Sequence, residues 1–223
     1  MRPITIDQSH QLMAVLATNV NWKKLDFNML QDAIIRDPKG AGKRFTEFLE
    51  NGGRFFNKIK SVLTKSFNPA KFIGKDWAIW RGPANGGGFS GEEDIDPRSL
   101  VFTQIEIDKF IFETCLRENE TPVTGEKKLL RLKAKPDFVR FGGNVFLGLW
   151  LDYQDNKENS ILECLYRNHK ISYLDFFGTI LRHPRGDRFV LCLYRRDDGE
   201  WYCDCRWLVQ DWSACHLSVG CAS

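Results

Sequence analysis

Three β-rich runs lie close together near the C-terminus: "YLDFFGTILR" from Tyr173, "RFVLCLYR" from Arg188 and "EWYCDCRWL" from Glu200. The connections between them, "HPRGD" and "DDG", are too short for a crossover helix and rich in turn formers, so the runs must pair as an antiparallel three-stranded meander. A two-residue turn at Asp198 and Gly199 places Tyr194 opposite Cys203 and Cys192 opposite Cys205. Val190, Cys192, Tyr194, Trp201, Cys203, Cys205 and Trp207 then share one face, the expected sheet contribution to the core.

Upstream, "DWAIWRGP" reads as a strand entering the glycine-rich, acidic stretch "RGPANGGGFSGEEDIDPRS" at 81–99, and "SLVFTQIEI" reads as the strand leaving it. Thr124 is placed to cap a helix over "GEKKLLRLKAK" that Pro136 ends. Further helices are expected over Asn144 to Tyr153 and Ile161 to Tyr166. In the first fifty residues Asp7 or Ser9 can cap a helix with Leu12, Val15 and Leu16 at helical spacing. Asp26 can cap a second through Phe27, Leu30, Ile34 and Ile35. Asp37 and Pro38 open a third, burying Phe45, Phe48 and Leu49 and stopping at "NGG". The expectation is an α+β protein: an N-terminal helical unit (1–53), a basic connecting segment (54–76), and a body (77–223) whose mainly antiparallel sheet carries packed helices and ends in the meander.

The runs "FIGKDWAIWRGP" and "GFSGEEDIDPRSL", the "GEKKLLRLK" helix and the "FFGTILR", "RFVLCLY", "DDGEWY" meander resemble a family of small bacterial proteins of no known activity. The resemblance runs from the first helices to about Trp212 and implies no ligand or catalytic residue. The tail "SACHLSVGCAS", with Cys215, His216 and Cys221, departs from the pattern.

Arg2, Asp7 and His10 stand where a leader needs an uninterrupted apolar region, so none is expected, and the longest apolar run, "VFLGLWL", is far shorter than the roughly 20 residues a bilayer needs. Seven cysteines at irregular spacing in a chain of 223 residues do not form a disulfide framework. A cytoplasmic protein with reduced, mostly buried thiols and no membrane partner is expected. Net charge is only +3 but unevenly spread: residues 1–81 hold fourteen Lys or Arg against seven acids, and the remainder eighteen against twenty-two. Arg54, Lys58, Lys60, Lys65, Lys71 and Lys75 form an acid-free run interleaved with phenylalanines. On the "GEKKLLRLKAK" helix Lys127, Lys128, Arg131 and Lys135 fall on one arc, with Leu129, Leu130 and Leu132 on another. These ten cations are the candidate nucleic-acid-binding residues.

The 81–99 stretch supplies the other candidate, a partner-binding loop of Arg81, Glu92, Glu93, Asp94, Asp96 and Arg98. Its glycines lead toward acids and contain no GK[ST] or GxGxxG, which argues against a phosphate cradle. Its carboxylates are suitable donors for Mg²⁺ or Ca²⁺ but lack EF-hand spacing. Cys192, Cys203 and Cys205, completed by Cys215, His216 or Cys221, are a candidate zinc set without any CxxC pair. His183 and Asp187 sit in a turn. No cofactor, metal or catalytic residue is assigned. The expected function is a non-catalytic intracellular binding protein whose partner is a nucleic acid or an acidic protein surface. A metal-dependent phosphoesterase using the 92–96 acids is one alternative; the other is an oligomerising module using Trp77, Trp80 and Trp212.

Overall fold

The computed structural model describes residues 5–24, 26–50, 61–120 and 122–223. The chain divides into two compact units, Met1–Asn57 and Lys58–Ser223.

The first unit is helical. Helix α1 (Ile6–Asn19) is capped not by Asp7 or Ser9 but by Thr5, whose hydroxyl accepts from the Gln8 N–H while the Gln8 side chain accepts from the Thr5 N–H. This reciprocal pair satisfies two otherwise orphaned donors, which neither Asp7 nor Ser9 does. Helix α2 (Phe27–Leu30) runs on into a π-turn over Gln31–Ile35, and α3 is Pro38–Glu50. Asp37 caps α3 by accepting from the Gly40 N–H at 2.9 Å. Phe45 and Leu49 are half-buried, whereas Val15, Ile34 and Ile35 are exposed. The expected stop at "NGG" lies outside the described residues.

The second unit opens with β1 (Ser61–Leu63), α4 (Pro69–Phe72) and β2 (Ala78–Ile79). The glycine-rich loop then leads into a short helix, α5 (Pro97–Leu100), followed by β3 (Gln104–Glu106), β4 (Ile111–Glu113) and β5 (Val123–Thr124). The loop therefore joins a strand to a helix. The expected strand "SLVFTQIEI" starts late because Asp96 caps a turn begun by Pro97, whose missing N–H costs nothing there. Next come α6 (Gly125–Lys133), β6 (Phe138–Arg140), α7 (Gly143–Asn156) and α8 (Ile161–His169). Thr124 caps α6 as expected. The chain ends in β7 (Tyr173–Arg182), β8 (Arg188–Arg195), β9 (Trp201–Trp207), β10 (Asp211–Trp212) and β11 (Leu217–Ala222).

The main sheet has the order β4-β11-β7-β8-β9, with β2 added to β7 and β6 to β11; all of its pairs are antiparallel except β11 with β7. The fold is α+β with helices at the N-terminus, as the sequence implied. The tail is not an appendage, since β11 lies inside the sheet. Helices α7 and α8 pack on one face through Phe146, Leu149, Leu162 and Leu165 against Leu174, Phe176, Leu191 and Leu193. On the opposite face α6 and β10 cover Phe177, Ile180 and Val190 with Leu129, Leu132 and Trp212.

The β8–β9 register differs from the expected one by a single residue: Tyr194 faces Tyr202, Cys192 faces Asp204 and Leu191 faces Cys205. The turn holds three residues, closed by Arg196 and Glu200, with Gly199 at φ +86°. A one-residue slip moves a strand's side chains to the other face. Trp201, Cys203 and Cys205 accordingly join the α7–α8 core, while Val190, Cys192 and Tyr194 point to the α6 side.

Candidate functional site

The glycine-rich loop is folded back on itself and laced to β7. The Gly82 N–H donates to Glu92 O and the Asp94 N–H to Trp80 O, while Asp94 O accepts from Ile180 and Gly178 O from Asp96. Trp80, almost wholly buried, donates its indole N–H to the carbonyls of Gly82 and Pro83. Gly88 lies flat on the Trp80 ring with φ +74°, and a Cβ there would sit 2.6 Å from that ring. Only glycine combines that left-handed backbone with so close an approach. On its outer side the loop is held by Arg182, whose guanidinium lies 3.5 Å from the Phe89 ring centroid and donates to Gly87 O.

The acids of this loop do not converge. Glu93 pairs with Arg81 at 2.6 Å. Asp94 turns inward and takes both Lys133 and Arg188, each at 2.6 Å. Asp96 points away from Asp94 into a buried cluster, accepting two bonds from the Arg98 guanidinium and one from the Arg140 N–H. Burial works to raise the Asp96 carboxyl, but the Arg98 hydrogen bonds, the Arg140 N–H and both guanidinium charges together hold it below its ordinary value. Burial lowers the Arg140 guanidinium in turn, against the Asp96 charge. Among the described residues no group of three or more His, Cys, Asp or Glu side chains is placed to hold a metal ion. Of the 92–96 acids assigned to the phosphoesterase alternative, Glu93, Asp94 and Asp96 are each paired with cations of the chain itself.

What the loop does form is one wall of a cleft of about 580 Å³ whose other wall is α6. Glu126, Leu129, Leu130 and Lys133 line it from the helix, Glu92 from the loop and Arg188 from β8. Arg188 is nine-tenths buried, giving Nη1 to Glu126 and Nη2 to Asp94 at 2.6 Å each, while its Nε–H has no acceptor among the described residues. Glu126 engages Arg188 through Oε2 alone, and exposed Glu92 makes no ion pair among the described residues. Leu130, on the same sequence arc as buried Leu129 and Leu132, is 70% exposed at the cleft.

The basic stripe of α6 is largely engaged within the fold. Lys127 and Arg131 both pair with Glu120, lowering its carboxyl below the ordinary range, the Arg131 hydrogen bond foremost. Lys135, expected on the helix, lies beyond its end at Lys133 and pairs with Glu113. Lys128 is not on the outer surface at all: it is fully buried against Asp175 of β7, at 3.5 Å, because a carboxylate under the helix needs a counter-charge. Of the connecting segment, Arg54, Lys58 and Lys60 lie outside the described residues. Lys65, Lys71 and Lys75 are exposed and make no ion pair among the described residues.

The candidate zinc set is separated by the β8–β9 register, with Cys192 on one face and Cys203 and Cys205 on the other. All seven cysteines are unpaired. Burial pushes the Cys205 thiol up to about 12 and raises Cys192 and Cys203 as well. His216 Nδ1 accepts from the Ser213 N–H within a tight turn; burial and the Arg206 and Lys128 charges push its imidazole down to about 4. His183 Nδ1 accepts from the Arg185 N–H in its own turn. Trp80 and Trp212 are buried rather than exposed, and Trp77 packs on His183 and Phe189.

No family model, no curated protein and no solved structure matches this chain. Among the described residues no helix is long and apolar enough to cross a membrane.

Proposed function

We propose that this chain is a non-catalytic binding protein whose partner docks in the cleft between the glycine-rich loop and α6. The observation that carries the reading is the lip of that cleft, where exposed Leu130 lines a wall, shared with Glu126 and Lys133, that is otherwise held by ion pairs. A large apolar side chain beside a concave, ordered surface favours association. Catalysis finds less support, since Asp94 and Asp96 are occupied by Lys133, Arg188, Arg98 and Arg140. Unpaired cysteines support a cytoplasmic setting.

Random peptides displayed on phage and panned against the full chain test the reading. Enriched peptides are expected to bind at least tenfold more weakly to a Leu130→Glu variant, which changes an exposed position and leaves the fold intact. Enrichment of none, or equal binding to both proteins, overturns it.

A nucleic-acid partner is favoured by one remaining observation: Lys65, Lys71 and Lys75 are exposed and make no ion pair among the described residues. Three phosphate contacts give a slope of log affinity on log salt of about −2 for single strands and about −3 for duplex. Fluorescence anisotropy with an oligonucleotide at low salt, on the wild type and on the variant with all three lysines changed to glutamine, decides this second reading. No binding at low salt, or no loss in the variant, removes it.

A further inference from the structure

Resting on the cleft as the docking site, we infer that its occupant is a basic side chain, an arginine or lysine carried on a segment of a partner polypeptide. The charges around the cleft are uneven from floor to mouth. On the floor Asp94 is matched by both Lys133 and Arg188. At the mouth Glu93 is matched by Arg81, Glu126 shares Arg188 with Asp94, and Glu92 has no counter-charge among the described residues. Four carboxylates therefore face three cations, which leaves room for one more positive charge.

The site also has the shape of that ligand. A lysine or arginine presents an apolar stem and a charged head, and here exposed Leu130 lines the same cleft as Glu92 and Glu126. The Oε1 atom of Glu126 makes no hydrogen bond among the described residues and can accept a second guanidinium or an ammonium. Only a cation carried on an apolar stem makes use of exposed Leu130 in that cleft, so a cation borne on a polypeptide fits better than a free metal ion. The cleft already demonstrates the pairing internally, since Lys133 reaches Asp94 across it.

The test titrates the isotope-labelled full chain, observed by amide NMR in low salt, with three blocked amino acids: acetyl-arginine, acetyl-lysine and acetyl-norleucine methylamides. Saturable shifts confined to residues 82–95 and α6 are expected for the two cations and not for norleucine. High salt should suppress them. Glu92→Gln should weaken the cationic probes about fivefold, the upper range for one exposed ion pair. The Glu92 side chain makes no hydrogen bond or ion pair among the described residues, and its backbone bond from the Gly82 N–H is kept in the glutamine variant, so loss of folding does not confound it; Glu126→Gln serves as the second. Equal shifts with norleucine, shifts centred elsewhere, or unchanged affinity in both variants overturn the inference. Display peptides that need Leu130 but carry no arginine or lysine overturn it too, while leaving the docking site standing.

Discussion

Removing Lys128 should unfold the body of the protein more readily than any surface change, and removing its partner as well should restore it. Both side chains of the Lys128–Asp175 pair are fully buried. Lys128 also donates to His216 O at 2.5 Å, and Asp175 Oδ2 accepts the Trp212 indole N–H at 2.7 Å, but Asp175 Oδ1 and the neighbouring Ser218 Oγ have no partner among the described residues. Burial drives Lys128 down and Asp175 up to about 6, each against the attraction of the other. Desolvation thus outweighs attraction on both sides, and the pair adds little net stability. Breaking it leaves one buried charge alone, at a cost of about 3–5 kcal/mol, or roughly 6–20 °C of melting temperature for a chain of this size. Lys128→Met and Asp175→Asn should each show that loss in urea unfolding followed by tryptophan fluorescence. The double variant, in which the new side-chain amide oxygen would still accept from Trp212, should lie within about 1 kcal/mol of wild type. Single variants within about 1 kcal/mol of wild type, or a double variant as unstable as the two losses combined, refute this reasoning. The pH dependence has a defined sign. Because Asp175 is raised from 3.8 toward about 6, its contribution is fully present below pH 3.8 and lost as pH rises to about 6. Lys128→Met should therefore regain stability between about pH 7 and about pH 4.

Asp96 behaves oppositely: its lowered carboxyl contributes stability above about pH 3.8 that disappears as pH falls through the folded value, so Asp96→Asn should flatten the acid limb of a melting-temperature profile. Gly88→Ala, which places a Cβ at positive φ against Trp80, should cost about 1–3 kcal/mol, read as a melting temperature lower by roughly 2–12 °C. At the sheet edge Asp204 accepts the N–H of Cys205 at 2.7 Å and keeps β9 charged. Asp204→Val should free that edge and produce concentration-dependent association in light scattering; a monomeric variant at high concentration contradicts this.

The elements that the sequence revealed are those whose information is local. Alternation marked β7, β8 and β9, and Thr124 with the leucines of "GEKKLLRLK" marked α6. What went astray depended on a single residue or on distant partners. One extra turn residue at Asp197 to Gly199 slipped β9 and separated Cys192 from Cys203 and Cys205. Strand β11 is short, contains Gly220, and gains its place only by pairing with β4, β6 and β7. The loop at 81–96 was conspicuous, yet its inner carboxylate meets Arg188, 94 residues away, and Lys133 of α6, which lies outside the cation arc of Lys127, Lys128 and Arg131. Its four acids are consequently not equivalent. Amide substitution is neutral for folding at Glu92, whereas Asp94 and Asp96 each neutralise buried arginines. A signal for the buried pair did exist: Asp175 is the lone acid in the apolar run "YLDFFGTILR", which calls for a cation from elsewhere in the chain.

The most direct measurement is amide hydrogen exchange on the full chain with and without a peptide selected on it. Docking in the cleft predicts new protection across residues 82–95 and α6, absent when Leu130→Glu replaces the wild type. Protection confined to α4, to the edge of β9 or to the N-terminal helices, with the cleft unchanged, contradicts the account.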